Sequence, residues 1–206
     1  MVSEFLEHLF PKVVLERNLR TTYTFCLGGL ALTAFLLLTV SGTLLLFYYQ
    51  ASPDRAYRSI LFLESEVAGG SYLRSVHRLV SHVFLSLVFL HVLRVVLTGA
   101  CGKPRELNWL TGACLLFLSV FEAYSGYLLP MDQLAYWATQ TGMELIATVP
   151  LGGIARGILV PDGVGQPISL LRFYALHVFV IPAAIFSIAF LHLYRVRKNK
   201  GILPYL

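Results

Sequence analysis

The chain has 206 residues, of which 57% are hydrophobic and 13% charged, and its 16 Lys and Arg against 11 Asp and Glu give a net charge of +5. Soluble domains carry about 25% charged and about 45–50% apolar residues, so this composition excludes an ordinary soluble fold and indicates an integral membrane protein. Three cysteines, Cys26, Cys101 and Cys114, with no C-x-x-C pair among them, argue against a disulfide framework and against a structural zinc site.

The first element, residues 1–22, sets Leu6, Leu9, Phe10, Val13, Val14 and Leu19 on one loose helical stripe, with Glu4, Glu7 and Glu16 interspersed. It has no apolar core followed by a small-residue cleavage site, so it is not expected to act as a signal peptide. It is expected to lie in the membrane interface as an amphipathic helix. The rest, 23–206, reads as one membrane domain with four segments long and apolar enough to span a bilayer. Span A covers about 23–49, span B 72–97, span C 110–129 and span D 170–194.

Loop charge orients the spans. Lys12, Arg17 and Arg20 precede A, Arg94, Lys103 and Arg105 lie at the end of B and beyond it, and Arg195, Arg197, Lys198 and Lys200 follow D. With alternating spans these cations share one side. The opposite side mixes Arg55, Arg58 and Arg156, and Arg74, Arg78 and Arg172 at helix starts, with Asp54, Glu64, Glu66, Asp132, Glu144 and Asp162. Both termini are therefore expected on the negative, cytoplasm-like side. The net positive charge reflects topology rather than nucleic-acid binding.

Spans B and D each carry two histidines. His77 and His91 lie 14 positions apart, and His177 and His192 lie 15 apart. At about 100° per residue, 14 residues fall about 40° short of four turns and 15 overshoot by about 60°, so each pair projects from nearly one face. The axial separation is roughly 21–22 Å, which puts one histidine of each pair toward each membrane surface. A single membrane histidine is commonly a hydrogen-bonded packing residue. Two matched intervals on parallel spans point instead to two metal-centred planes clamped between them, and so to a transmembrane di-haem electron carrier. B and D run in the same direction, which pairs His77 with His177 and His91 with His192. His82, about 140° round the helix from His77 and with no counterpart in D, is read as structural.

Glycine repeats the interval on the other two spans: Gly28 and Gly42 in A, and Gly112 and Gly126 in C, are each 14 apart. Glycine permits the close approach of a flat macrocycle, though it is also common at membrane helix contacts. Arg74, Arg78 and Arg94 lie within one turn of a histidine. They are suited to the anionic propionates of haem, or to snorkelling toward headgroups.

The stretches YLRSVHR, LHVLRVVLTG, KPRELNWLTG, GYLLPMDQLAYW and LLRFYALHVFVIP closely resemble the cytochrome b6 branch of the cytochrome b family, from about residue 23 onward. The 14-then-15 histidine spacing also matches that branch. The resemblance implies an all-α transmembrane four-helix bundle with two stacked b-type haems and an N-terminal amphipathic helix. It implies that His77 and His177 ligate the low-potential haem and His91 and His192 the high-potential one. The TFCLGGL stretch resembles the segment where a cysteine holds a third, c-type haem by one thioether, which is Cys26 here. Arg197 matches a basic residue near that haem's propionates. The resemblance further implies a quinol-oxidising, proton-translocating subunit. Its partners would be a subunit IV-like C-terminal half of cytochrome b, a Rieske iron–sulfur protein and a c-type cytochrome or equivalent acceptor, in a dimeric complex with quinone as substrate. The chain carries no PEWY motif and no second helical half, so the subunit is not expected to complete the reaction alone. Glu122, one turn before Gly126, and the loop 138–166 depart from the family pattern. That loop favours a bacterial plasma membrane over a thylakoid. One alternative is a di-haem b anchor linking quinone to a formate dehydrogenase, hydrogenase or nitrate reductase, against which the motifs and Cys26 argue. Another is a non-redox membrane scaffold.

Overall fold

A computed structural model describes the backbone of residues 26–198 and the side chains of residues 26–196. The amphipathic helix expected over 1–22 lies outside the described residues, as does the side chain of Arg197. Within them the protein is helical, with no strand.

Three of the expected spans are single helices: α1 (Leu27–Leu46), α3 (Gly70–Leu97) and α4 (Glu106–Leu128). Their 20, 28 and 23 residues meet the roughly 20 needed to cross the hydrocarbon core. The fourth span, Pro167–Val196, is interrupted. It consists of α7 (Pro167–Ala175), a π turn (Leu176–Val180) and α8 (Ile181–Lys198). These spans expose Leu36, Val40, Leu79, Leu90, Leu93, Phe117 and Phe179. In a bilayer such residues meet lipid tails, and the helical hydrogen bonds satisfy the backbone.

Between the spans lie three shorter helices: α2 (Ala56–Ser65), α5 (Gln133–Ala147) and α6 (Gly152–Leu159). The stretch 138–166, taken from sequence as a loop, therefore contains most of α5 and all of α6. Asp132 starts α5 in extended conformation and accepts the Ala135 amide at 2.8 Å, which satisfies one of the first-turn donors. Gly152 starts α6 against the Ile146 carbonyl, where any Cβ would collide with that oxygen. Pro167 begins α7, and Asp162 accepts the amides of Ile168 at 2.8 Å and Ser169 at 3.0 Å.

The described residues form two compact units. The first comprises 26–35, 82–119 and 183–198. It buries Ala31, Ala34, Phe35, Phe84 and Ile185, with the Phe35 ring 4.9 Å edge-on from Phe186 and 5.8 Å from Phe84. The second comprises 36–81 and 120–182. Its core joins Ala56, Leu128, Leu129, Met143, Val160, Leu170 and Phe173, so the short helices pack onto the ends of spans. Tyr49 closes this core by donating its hydroxyl to the Leu129 carbonyl at 2.6 Å and stacking on Tyr174 at 5.4 Å.

Candidate functional site

In the second unit the rings of His77 and His177 face each other with centroids 6.4 Å apart and planes crossed at 81°. Each ring is held by its Nδ1. Ser41 donates its hydroxyl to the Leu37 carbonyl at 2.9 Å, so its oxygen is left to accept from His77 Nδ1 at 2.8 Å. Ser125 donates to the Glu122 carbonyl at 2.9 Å and its oxygen stands 3.2 Å from His177 Nδ1. The Glu122 carbonyl oxygen is also 3.1 Å from that nitrogen, and the carboxylate Oε1 is 3.2 Å from it. His77 Nδ1 thus meets one acceptor, Ser41, and His177 Nδ1 meets three oxygens of Ser125 and Glu122. The proton therefore sits on Nδ1, and Nε2 keeps its lone pair as a metal donor.

The first unit repeats the arrangement. Thr111 donates to the Asn108 carbonyl at 2.9 Å and accepts from His192 Nδ1 at 3.0 Å. His91 and His192 line one cavity of about 290 Å³ together with Cys26, Gly28, Arg94 and Gly112. Arg105 and Trp109 complete its polar edge.

Four glycines make room for four rings. A Cβ on Gly28 would lie 3.2 Å from His91 Cε1, on Gly42 3.2 Å from His77 Cε1, and on Gly112 3.2 Å from His192 Cε1. On Gly126 it would lie 2.9 Å from His177 Nε2 and 3.0 Å from Nδ1. Each glycine expected to allow close approach of a macrocycle thus lies against one of the four candidate ligand rings. The hydroxyl residues are the part that sequence reasoning missed. The signal was present: Ser41, Thr111 and Ser125 each immediately precede one of these glycines, whereas Leu27 precedes Gly28.

The remaining candidates are placed differently. Arg74 pairs with Glu64, while Arg78 and His82 are exposed. Arg94 lies in the cavity wall. Cys26 begins α1 with a left-handed φ of 49° and gives its carbonyl to the Leu30 amide at 2.8 Å. Its side chain is exposed and lines the same cavity as His91 and His192.

The family model described as cytochrome b/b6/petB matches residues 13–200. The chain belongs to the cytochrome b/b6 family. It is 42% identical over 198 residues to the cytochrome b6 of Heliobacterium modesticaldum, covering 96% of this chain and 90% of that protein. It is 35% identical over 202 residues to the menaquinol:cytochrome c reductase cytochrome b subunit of Bacillus subtilis, covering 97% and 90%. The cytochrome b6 of Synechocystis is 40% identical over 180 residues, covering 85% and 79%. A chain of a hyperthermophilic respiratory Complex III superposes with a TM-score of 0.79 at 31% identity, covering 88% of this chain and 49% of that one. The chain therefore spans about half the length of that solved chain.

Membership makes this an integral membrane protein of a family that carries b-type haem, and the donor set fits that group. Among the described residues no three or more His, Cys, Asp or Glu converge as a bare metal ion would require. Two opposed imidazoles suit a metal that brings its own equatorial donors, as haem iron does. Two imidazoles sharing one metal through bonds of about 2 Å, each with its centroid about 1.1 Å behind the donor nitrogen, would sit roughly 6.2 Å apart. The His77 and His177 centroids are 6.4 Å apart.

Proposed function

We propose that this chain is the haem-carrying electron-transfer subunit of a quinol-oxidising, proton-translocating Rieske/cytochrome b complex in a bacterial plasma membrane, with both termini on the negative side. The observation that carries it is the His77–His177 pair, 6.4 Å apart with each Nδ1 engaged and each Nε2 left as a donor. His77 and His177 would hold one b haem, and His91 and His192 the other. When bound, these haems supply reversible one-electron redox chemistry.

The chain's own residues supply orientation and surroundings. Ser41, Thr111 and Ser125 fix the tautomer and ring angle of three ligands. The glycines leave those rings clearance that any side chain would take. Arg94 and Arg105, in the cavity wall beside His91 and His192, suit anionic propionates there, a role we extend to Arg197. Arg78, exposed one residue after His77, would serve the other site, as would Arg74 on leaving Glu64. The position of Cys26 in the same cavity supports a third haem joined through one thioether. The relative named as a menaquinol:cytochrome c reductase subunit supports quinone as substrate and a c-type cytochrome as acceptor. A subunit IV-like half, a Rieske protein and a dimeric complex complete the proposal.

The test is made on the complex purified from native membranes. A reduced-minus-oxidised spectrum should give b-type bands equivalent to two haems per chain, and their absence would overturn the proposal. After denaturing electrophoresis, haem stain should mark a 23.0 kDa band that Cys26→Ala abolishes. An unstained band would remove the covalent haem and leave the two b haems standing.

A further inference from the structure

Helix α4 presents the same cradle twice, 14 residues apart. At one end the Asn108 carbonyl, Thr111 and Gly112 surround His192, and at the other the Glu122 carbonyl, Ser125 and Gly126 surround His177. Asn108 and Glu122 are equivalent positions in this repeat. Their side chains behave differently. Asn108 Oδ1 is buried without a hydrogen-bond partner among the described residues. Glu122 instead turns Oε1 onto His177 Nδ1 at 3.2 Å. Its other oxygen, Oε2, is buried without a hydrogen-bond partner among the described residues.

A carboxylate inside a membrane span is costly, and one that leaves an oxygen unspent is a poor source of stability. Among the described residues its one side-chain polar partner is the imidazole proposed as an iron ligand. The backbone carbonyl and Ser125 already satisfy the Nδ1 proton, so the carboxylate is not needed to complete a hydrogen bond. What it adds is a further acceptor at the ring nitrogen. A further acceptor draws the Nδ1 proton toward itself and makes the imidazole a stronger donor. A stronger donor favours the oxidised metal over the reduced one, which lowers the midpoint potential.

We propose that Glu122 is a positioning residue that acts through His177 to lower the potential of the haem at the His77/His177 site, and so separates it from the haem at the His91/His192 site. The inference rests on the haem assignment made above. Among the described residues the other three imidazoles receive no such carboxyl group: Ser41 meets His77, Thr111 meets His192, and Leu27 holds the corresponding place in the sequence before Gly28.

The experiment is a redox titration of both b haems in the purified complex, followed optically and through the separate low-spin ferric resonances of the two sites. Glu122→Ala should raise the midpoint of one haem and leave the other in place. Glu122→Gln, close in shape and still offering an accepting oxygen, should raise the same haem by less. Loss of such an outer contact weakens metal affinity about 10–100-fold. Each tenfold loss of preference for the oxidised metal reads as a rise of about 59 mV for a one-electron couple. Unmoved midpoints in both variants, or equal shifts of both haems, would overturn the role of Glu122. Missing b-type bands in the unaltered complex would remove the haem assignment itself, so the two failures are distinguishable.

Discussion

The Ile181 amide bonds to the Leu176 carbonyl five residues back, closing a π turn immediately around His177. A π turn holds one residue more than the α turn it replaces. This accounts for the unequal histidine intervals. The helix α3 separates its pair by 14 residues, whereas the fourth span uses 15 and contains the π turn between them. In a regular helix the fifteenth residue would add about 100° of rotation. Here the wide turn takes it up.

The consequence is testable by deletion. Phe179 lies in the π turn and is 72% exposed, so its removal takes away little packing. Deleting Phe179 should convert the turn to regular α-helix with a 14-residue interval, as in α3, and leave both b haems in the reduced-minus-oxidised spectrum. Loss of either band in the deletion variant would mean that the π turn orients His177 in some further way.

Gly126 and Gly29 predict opposite outcomes for one substitution. An alanine Cβ at Gly126 would press on His177, while at Gly29 it would meet nothing within 4 Å among the described residues. Overpacking of this kind costs about 1–3 kcal/mol, and Gly126→Ala should also displace the ring and lower haem content. Gly29→Ala, in the first turn of α1, should be neutral or stabilise by about 0.4–1 kcal/mol. Thermal unfolding in detergent, scored together with haem per protein, separates the two.

Ser41→Ala removes the acceptor held 2.8 Å from His77 Nδ1. A buried donor left unsatisfied costs about 1–3 kcal/mol, and the ring loses the contact that fixes its tautomer. Haem should then transfer faster from the variant to a competing apoprotein. Thr111→Val should do the same for the haem at His192, which Thr111 holds at 3.0 Å. Unchanged transfer rates in both would show that the hydroxyls do not secure the ligands.

Much of this arrangement was legible in the sequence, because it repeats at helical period. The four spans stand out by length and apolarity, and the order of the spans indicates that His77 meets His177. The span ends were less legible: α4 begins at Glu106 and α7 at Pro167, each a few residues before the apolar run, where polar first turns belong to the helix but not to its hydropathy. The segment 138–166 looked like a loop because its helices are short and interrupted by glycine and proline, and capping by Asp132 and packing against Met143 and Val160 decide their fold. The π turn has no residue signature in its sequence of Leu, His, Val, Phe and Val. The pairing of Arg74 with Glu64 and the reach of Glu122 to His177 depend on how separate helices pack, which a helical period does not encode.

Asp162 gives the acid dependence of the membrane-surface end of α7. Desolvation alone would raise the pKa of its carboxyl. The Ser169 hydroxyl and the amides of Ile168 and Ser169 outweigh this and hold it below the ordinary carboxylate range. A group whose folded pKa is depressed stabilises the fold above its unfolded value and loses that contribution as pH falls through the folded one. The contribution of Asp162 should therefore be complete above about pH 4 and disappear at still lower pH. Asp162→Asn keeps an accepting oxygen but cannot ionise. Its thermal midpoint in detergent should lie below that of the unaltered protein at neutral pH, and the gap should close as the medium is taken well below pH 4. A gap that stays constant with pH would mean that Asp162 serves α7 as a neutral cap, with its charge contributing nothing.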